Sequence, residues 1–156
     1  GVPAVRVMAS VKAHFQVPDG SMDGSSVALS WTINKANKAF NQYETGNPFS
    51  AGQATRLTAP EAGLYAISGG VRWAPINGNP QIAQLSIVAN GTQTLGQESF
   101  APTLNLVQAQ DVATTALLDE GDYVELQAFQ MSGSQNTQAI ESQGAHFEMT
   151  WIAPAP

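Results

Sequence analysis

An antiparallel β-sandwich or barrel is the fold this sequence predicts, on three observations. Apolar side chains recur at every second position in about eight to ten segments, no segment sustains a 3.6-residue period, and Gly-, Pro-, Asn- and Asp-rich turns divide the segments at regular spacing. At 156 residues and 16.4 kDa the chain has room for one core burying roughly two-thirds of its unfolded surface, so a single domain spanning 1–156 is expected.

Taken in order, Val5, Val7, Ala9, Val11, Ala13 and Phe15 alternate with polar residues and predict a first strand over 4–15. The Pro, Asp, Gly and Ser content of 16–26 predicts an exposed loop. Val27, Leu29, Trp31 and Ile33 alternate again, Phe40 and Tyr43 open a short segment, and Gly46-Asn47-Pro48 breaks it. No helix is expected between there and Leu57. Pro60 and Gly63 then turn the chain into a long strand whose Tyr65, Ile67, Gly69, Val71 and Trp73 share one face. Residues 74–80 read as a loop, and Ala83, Leu85, Ile87 and Ala89 as a strand. Asn90-Gly91 closes a hairpin, because both residues tolerate the positive φ of a type I′ turn, and 92–97 return antiparallel. Leu104 to Leu118 has helix-favouring Ala, Gln and Leu, but its Val and Thr content and lack of helical period predict strand. Asp119 to Asp122 is a turn, Val124, Leu126 and Ala128 face inward on the next strand, 132–136 form a loop, and Phe147, Met149 and Trp151 mark the last strand.

Composition excludes several functions. Charged residues are only 12% of the chain, while Asn, Gln, Ser and Thr number 46, so neutral polar groups must solvate the surface. Six basic against twelve acidic residues leave a net charge of −6, with no basic cluster to neutralise phosphates; nucleic acid is not an expected partner. There is no cysteine, which removes disulfides, thiolate nucleophiles and Cys-built zinc sites. No apolar run approaches the ~20 residues that span a bilayer. The opening Gly1-Val2-Pro3-Ala4 lacks the basic and apolar regions of a signal peptide.

Two blocks carry a family resemblance. Thr58-Ala59-Pro60-Glu61-Ala62-Gly63-Leu64-Tyr65-Ala66-Ile67 resembles the C1q/TNF-like signature, in which a Thr-Ala-Pro turn precedes Gly-x-Tyr-x-Phe. Leu117-Leu118-Asp119-Glu120-Gly121-Asp122-Tyr123-Val124-Glu125-Leu126 resembles that family's Leu-x-x-Gly-Asp-x-Val-x-Leu stretch. Asn90-Gly91 matches the intervening hairpin and Phe147 to Ile152 the closing strand, so the likeness covers residues 27–153. Its signature positions here are Leu57, Pro60, Gly63, Tyr65, Ile67, Gly121, Asp122, Val124 and Leu126. Leu57 and Ile67 stand where the family has aromatic residues, Phe49 is one place off the upstream aromatic, and no collagen-like Gly-x-y repeat occurs within the sequence. The resemblance implies a ten-stranded antiparallel jelly-roll sandwich that assembles as a homotrimer. It is closest in character to versions borne by bacteria and their phages, on surface fibres or virions. A trimer would also employ an ample apolar set, with Trp31, Trp73, Phe147, Met149 and Trp151 placed either in the core or between subunits.

Chemical sites compare poorly with plainer readings. Asp119, Glu120 and Asp122 lack the alternating spacing of a calcium loop and read as a turn; some C1q relatives bind calcium, but no motif here carries that over, and no cofactor is expected. His14 and His146 lie opposite the apolar face of their strands, without the i, i+4 partner of a zinc helix, and read as exposed or interfacial. Neither a Gly-x-Ser-x-Gly elbow nor a phosphate loop occurs, and Asn90-Gly91-Thr92, an N-glycosylation pattern, is explained by the hairpin. No enzyme is expected. The expected role is a trimeric binding head outside the cell or on a virion, recognising a surface glycan or protein through loops 16–26, 74–80 and 132–143. The alternative is a structural trimer that decorates or cements a virion shell.

Overall fold

The computed structural model describes residues 6–12, 26–31, 43–44, 48–73, 75, 82–131 and 145–156, and for 6–12 and 43–44 it describes the backbone. Among these residues ten strands follow one another: β1 (Arg6–Lys12), β2 (Val27–Ala28), β3 (Tyr43–Glu44), β4 (Arg56–Thr58), β5 (Gly63–Trp73), β6 (Ile82–Ala89), β7 (Gln93–Phe100), β8 (Gln108–Leu118), β9 (Tyr123–Met131) and β10 (His146–Pro154). They form two sheets, one in the order β3-β1-β10-β5-β8 and one in the order β2-β9-β6-β7, with β4 also paired to β9. All pairings are antiparallel.

Alternation decides which side of each strand meets the core. Tyr65, Ile67, Val71 and Trp73 of β5 are buried, as are Ala83, Leu85 and Ile87 of β6, Val124, Leu126 and Ala128 of β9, and Phe147, Met149 and Trp151 of β10. Trp31 stacks on Phe147 with ring centroids 5.7 Å apart, across the space between the sheets. Gly69 sits among these inward residues for a steric reason: a Cβ there would lie 2.8 Å from both Cδ atoms of Leu126 on the opposing sheet.

The open side of the sandwich between β7 and β8 is fastened by side chains. Gln110 is buried; its Oε1 accepts the Trp73 indole N–H at 2.8 Å and its Nε2 donates to the Glu98 carbonyl at 2.7 Å. Thr114 Oγ1 donates to the Leu95 carbonyl at 3.3 Å. Two carbonyls of β7, the last strand of its sheet, are thus claimed by β8, which leaves that edge less available to a foreign strand.

Several predicted boundaries move. The strand begun at Val27 is short: Leu29 N–H still donates in register to the Leu126 carbonyl of β9, but Trp31 N–H turns instead to the Ala54 carbonyl, and both side chains stay buried. A 3-10 turn occupies Ala51–Gln53, where no helix was expected. The strand predicted from Leu104 begins only at Gln108. Before it, Asn105 takes a φ of 61° and Thr103 N–H donates to Gln108 Oε1 at 2.7 Å, closing a loop that leaves Leu104, Leu106 and Val107 exposed. The returning hairpin strand runs on to Phe100, beyond Gln97. The loops expected at 16–26, 74–80 and 132–143 lie outside the described residues except for Ser26 and Pro75, as does His14.

Candidate functional site

The two signature blocks meet at one end of the sandwich. Ala59 N–H donates to the Asp122 carbonyl at 2.7 Å, and Gly121 N–H returns a bond to the Ala59 carbonyl at 2.9 Å. Leu57 and Val124 are register partners and both are fully buried, while Tyr65 donates its hydroxyl proton to the Glu61 carbonyl at 2.6 Å. Pro60 to Gly63 is the corner that this bond braces. Burial pushes the Tyr65 phenol above its ordinary pKa. The hairpin joins the same cluster: Asn90 and Gly91 take φ of 52° and 77°, Asn90 Nδ2 donates to Asp122 Oδ1 at 3.2 Å, and Asn90 Oδ1 accepts from Tyr123 N–H at 3.1 Å. Asp122 Oδ2 also accepts from Asp119 N–H at 2.8 Å, so this carboxylate ties two turns together. The signature residues Leu57, Pro60, Gly63, Tyr65, Gly121, Asp122 and Val124 build a corner, and Ile67 and Leu126 continue it as core. Trp31, Trp73, Phe147, Met149 and Trp151 are all buried within the single chain, in the core.

The outward faces hold the remaining candidates. On the sheet of β6, β7 and β9 three outward polar pairs form: Ser86 Oγ with Gln97 Oε1 at 3.2 Å, Ser99 Oγ with Gln84 Oε1 at 2.9 Å, and Thr55 with Glu125. Arg56 lies over the Tyr123 ring, 3.9 Å from its centroid. The face of β10, β5 and β8 is different. Ala66, Ser68, Ala113, Thr115 and Thr150, with Glu148 at one side, line a shallow open depression of about 370 Å³. At the Gly63 end of the same face Leu64 and Leu117 are register partners, and Leu117 and Ile152 are exposed. Further along, His146 Nε2 lies 3.3 Å from Asp111 Oδ1 and its Nδ1 lies 3.3 Å from Glu148 Oε1.

Crystal structures of murine APRIL, a TNF-superfamily jelly roll, superpose on almost the whole chain. The pH 8.0 structure gives a TM-score of 0.66 at 11% identity, covering 96% of this chain and 100% of that one; the pH 5.0 structure gives 0.66 at 10% identity, covering 94% and 99%. The chain has a TNF/C1q-like fold. No protein-family model matches its sequence, and no curated protein matches it in sequence either. In this TNF/C1q-like sandwich the two blocks that carry the sequence resemblance form the structural corner, and the open face lies elsewhere.

Sequence reading missed Asp111, Glu148 and Gly70 as members of that face. One signal was available: in the last strand His146, Glu148 and Thr150 alternate with the buried Phe147, Met149 and Trp151. What was missing was the strand order. Only the pairings of Gly70 with both His146 and Asp111 put these residues side by side.

Proposed function

We propose that the chain is a non-enzymatic homotrimeric binding head, carried on a phage virion fibre or a bacterial surface protein, whose copies join through the open face of β10, β5 and β8. The observation that supports this reading is the small-residue floor of that face. Ala66, Ser68, Ala113 and Thr115 let a second backbone approach closely, and Leu117 and Ile152 beside them add apolar area for it to cover. On the opposite sheet Ser86, Ser99 and Thr55 are instead engaged by Gln97, Gln84 and Glu125. The likeness to the TNF-superfamily jelly roll supports a trimer as the closed form.

Ligand recognition in this reading falls to the end away from the signature corner. Trp73 pairs with Gln108, Ile82 with Met131, and Gln110 reaches the Ala83 carbonyl, so β5, β6, β8 and β9 all start or finish together there. Among the described residues that end includes the closed loop with Leu104, Leu106 and Val107, which adds an apolar surface to the polar loops expected from sequence. A protein or glycan on a cell surface is the partner class. No helix among the described residues is long and apolar enough to cross a membrane.

Sedimentation equilibrium of the chain at micromolar concentration is expected to return three times the 16.4 kDa monomer mass; a stable monomer defeats the assembly. Binding to bacterial cells or to a glycan array is expected from the trimer. Blank results there, together with binding to assembled virion shells, would turn the reading to a decoration protein.

A further inference from the structure

We propose that Asn90 is a spontaneous deamidation site that the folded corner protects through Asp122, and that its conversion to aspartate unties the hairpin from that corner.

Asn90-Gly91 is a chemically weak step on its own account. An asparagine is thermolabile because its side-chain amide can be attacked by the next backbone nitrogen, and a glycine there has no Cβ to obstruct the approach. Both residues are exposed, so water and base reach them. The Gly91 nitrogen gives its proton to solvent base and attacks Asn90 Cγ. The new N–Cγ bond closes a five-membered imide, the Cγ–Nδ2 bond breaks, and Nδ2 takes a proton from water and leaves as ammonia. Water then adds to one imide carbonyl. Cleavage of the new N–Cγ bond leaves aspartate; cleavage of the original peptide bond leaves isoaspartate, with the main chain running through the side-chain carbons. The sum is asparagine plus water giving an acid plus ammonia, with no electron transferred.

The corner holds Asn90 by three atoms to the start of β9. Its backbone N–H donates to the Tyr123 carbonyl at 2.9 Å, Nδ2 donates to Asp122 Oδ1 at 3.2 Å, and Oδ1 accepts from Tyr123 N–H at 3.1 Å. These partners fix which end of the amide is which, since a carboxylate only accepts and an N–H only donates. Asp122 is anchored in turn, because its Oδ2 accepts from Asp119 N–H at 2.8 Å. Attack requires the face of the amide to turn onto the Gly91 nitrogen, and that rotation breaks both side-chain bonds to β9.

Conversion reverses the effect of the same contacts. A carboxylate at position 90 has no N–H to donate, and its oxygen would take the place of Nδ2, 3.2 Å from Asp122 Oδ1. Two anions at that distance repel. Isoaspartate also lengthens the backbone of a turn whose φ values of 52° and 77° set the register of Ala89 with Gln93. Either product loosens the hairpin from the residues that bond to Ala59.

The test is peptide mapping by mass spectrometry during incubation of the intact chain in mildly alkaline buffer, folded and in urea. Asn90 is expected to convert about tenfold or more slowly in the folded chain, the factor two side-chain hydrogen bonds supply. Asn77-Gly78, the other Asn-Gly step in the sequence, supplies a second unfolded-chain rate in the same urea digest. Asp122→Ala should recover most of the difference. Tyr65→Phe, which loosens the corner through its bond to Glu61 without touching Asn90, should not, with circular-dichroism melts confirming that both variants are folded during incubation. Asp122→Asn, which keeps one acceptor for two donors, replaces the alanine variant if that one does not fold. Asn90→Asp is expected to melt about 3 °C or more below the parent. Equal rates in the folded and unfolded parent, or equal acceleration by the Asp122 and Tyr65 variants, overturn the protection. An Asn90→Asp chain that melts with the parent overturns the effect on the corner.

Discussion

The two outward faces of this sandwich come from the same alternating pattern and end up physically opposed. On the β6, β7 and β9 side, Ser86 with Gln97, Ser99 with Gln84, and Thr55 with Glu125 satisfy one another, so water can cover the face without loss. On the β10, β5 and β8 side, Ala66, Ala113, Thr115 and Thr150 are too small to fill the space above the strands, and a depression opens between them. Neutral polar composition therefore does two jobs in one chain: long amides make a finished surface, and Ala, Ser and Thr leave an unfinished one. An interface is better sought where side chains stop short than where they are most polar.

The sharpest way to break this comparison is to place a large charge on each face. Ala66→Arg is expected to weaken self-association by about 100-fold or more, because a guanidinium would be buried against a neighbouring copy without a partner. Ser99→Arg on the opposite face should leave association unchanged, and equal effects of the two by sedimentation would end the distinction. Next in size is Gln110→Ala, at the side where the two sheets are fastened. It leaves the Trp73 indole N–H and the Glu98 carbonyl without this partner, at a cost of about 1–3 kcal/mol in urea denaturation.

The signature corner supplies a smaller, pH-dependent effect. Because burial raises the Tyr65 phenol's pKa, its stabilising contribution is complete below the ordinary tyrosine value of about 10 and is lost as pH rises through the folded-state value. Tyr65→Phe should remove that alkaline loss and cost about 0.5–1.5 kcal/mol at neutral pH for the missing bond to Glu61. Thermal melts of both proteins from neutral to strongly alkaline pH check the sign. Smallest of all is Gln84→Ala on the finished face, expected within about 0.5 kcal/mol of the parent by the same melts.

How much of this was legible beforehand can be followed residue by residue. The inward set Tyr65, Ile67, Val71 and Trp73 was readable because one buried face imposes a period of two that local sequence records directly. Asn90-Gly91 was readable because positive φ restricts residue type. Gln108 as the true start of β8 was not, since Leu104, Leu106 and Val107 look like core residues until their exposure is seen. Nothing in the local sequence marks Gly69-Gly70, yet one glycine admits Leu126 from the opposing sheet and the other admits the His146–Asp111 pair.

By itself the sequence determined the fold class, the inward face of most strands, the hairpin and the corner, because each depends on neighbours a few positions away in the chain. The tertiary structure decided what the outward residues do. Asp111, Gly70 and His146 are separated by tens of positions and meet only because β5 lies between β8 and β10. Strand order is a property of the whole packed sandwich, set by which pairings jointly close the core, and no local pattern records it.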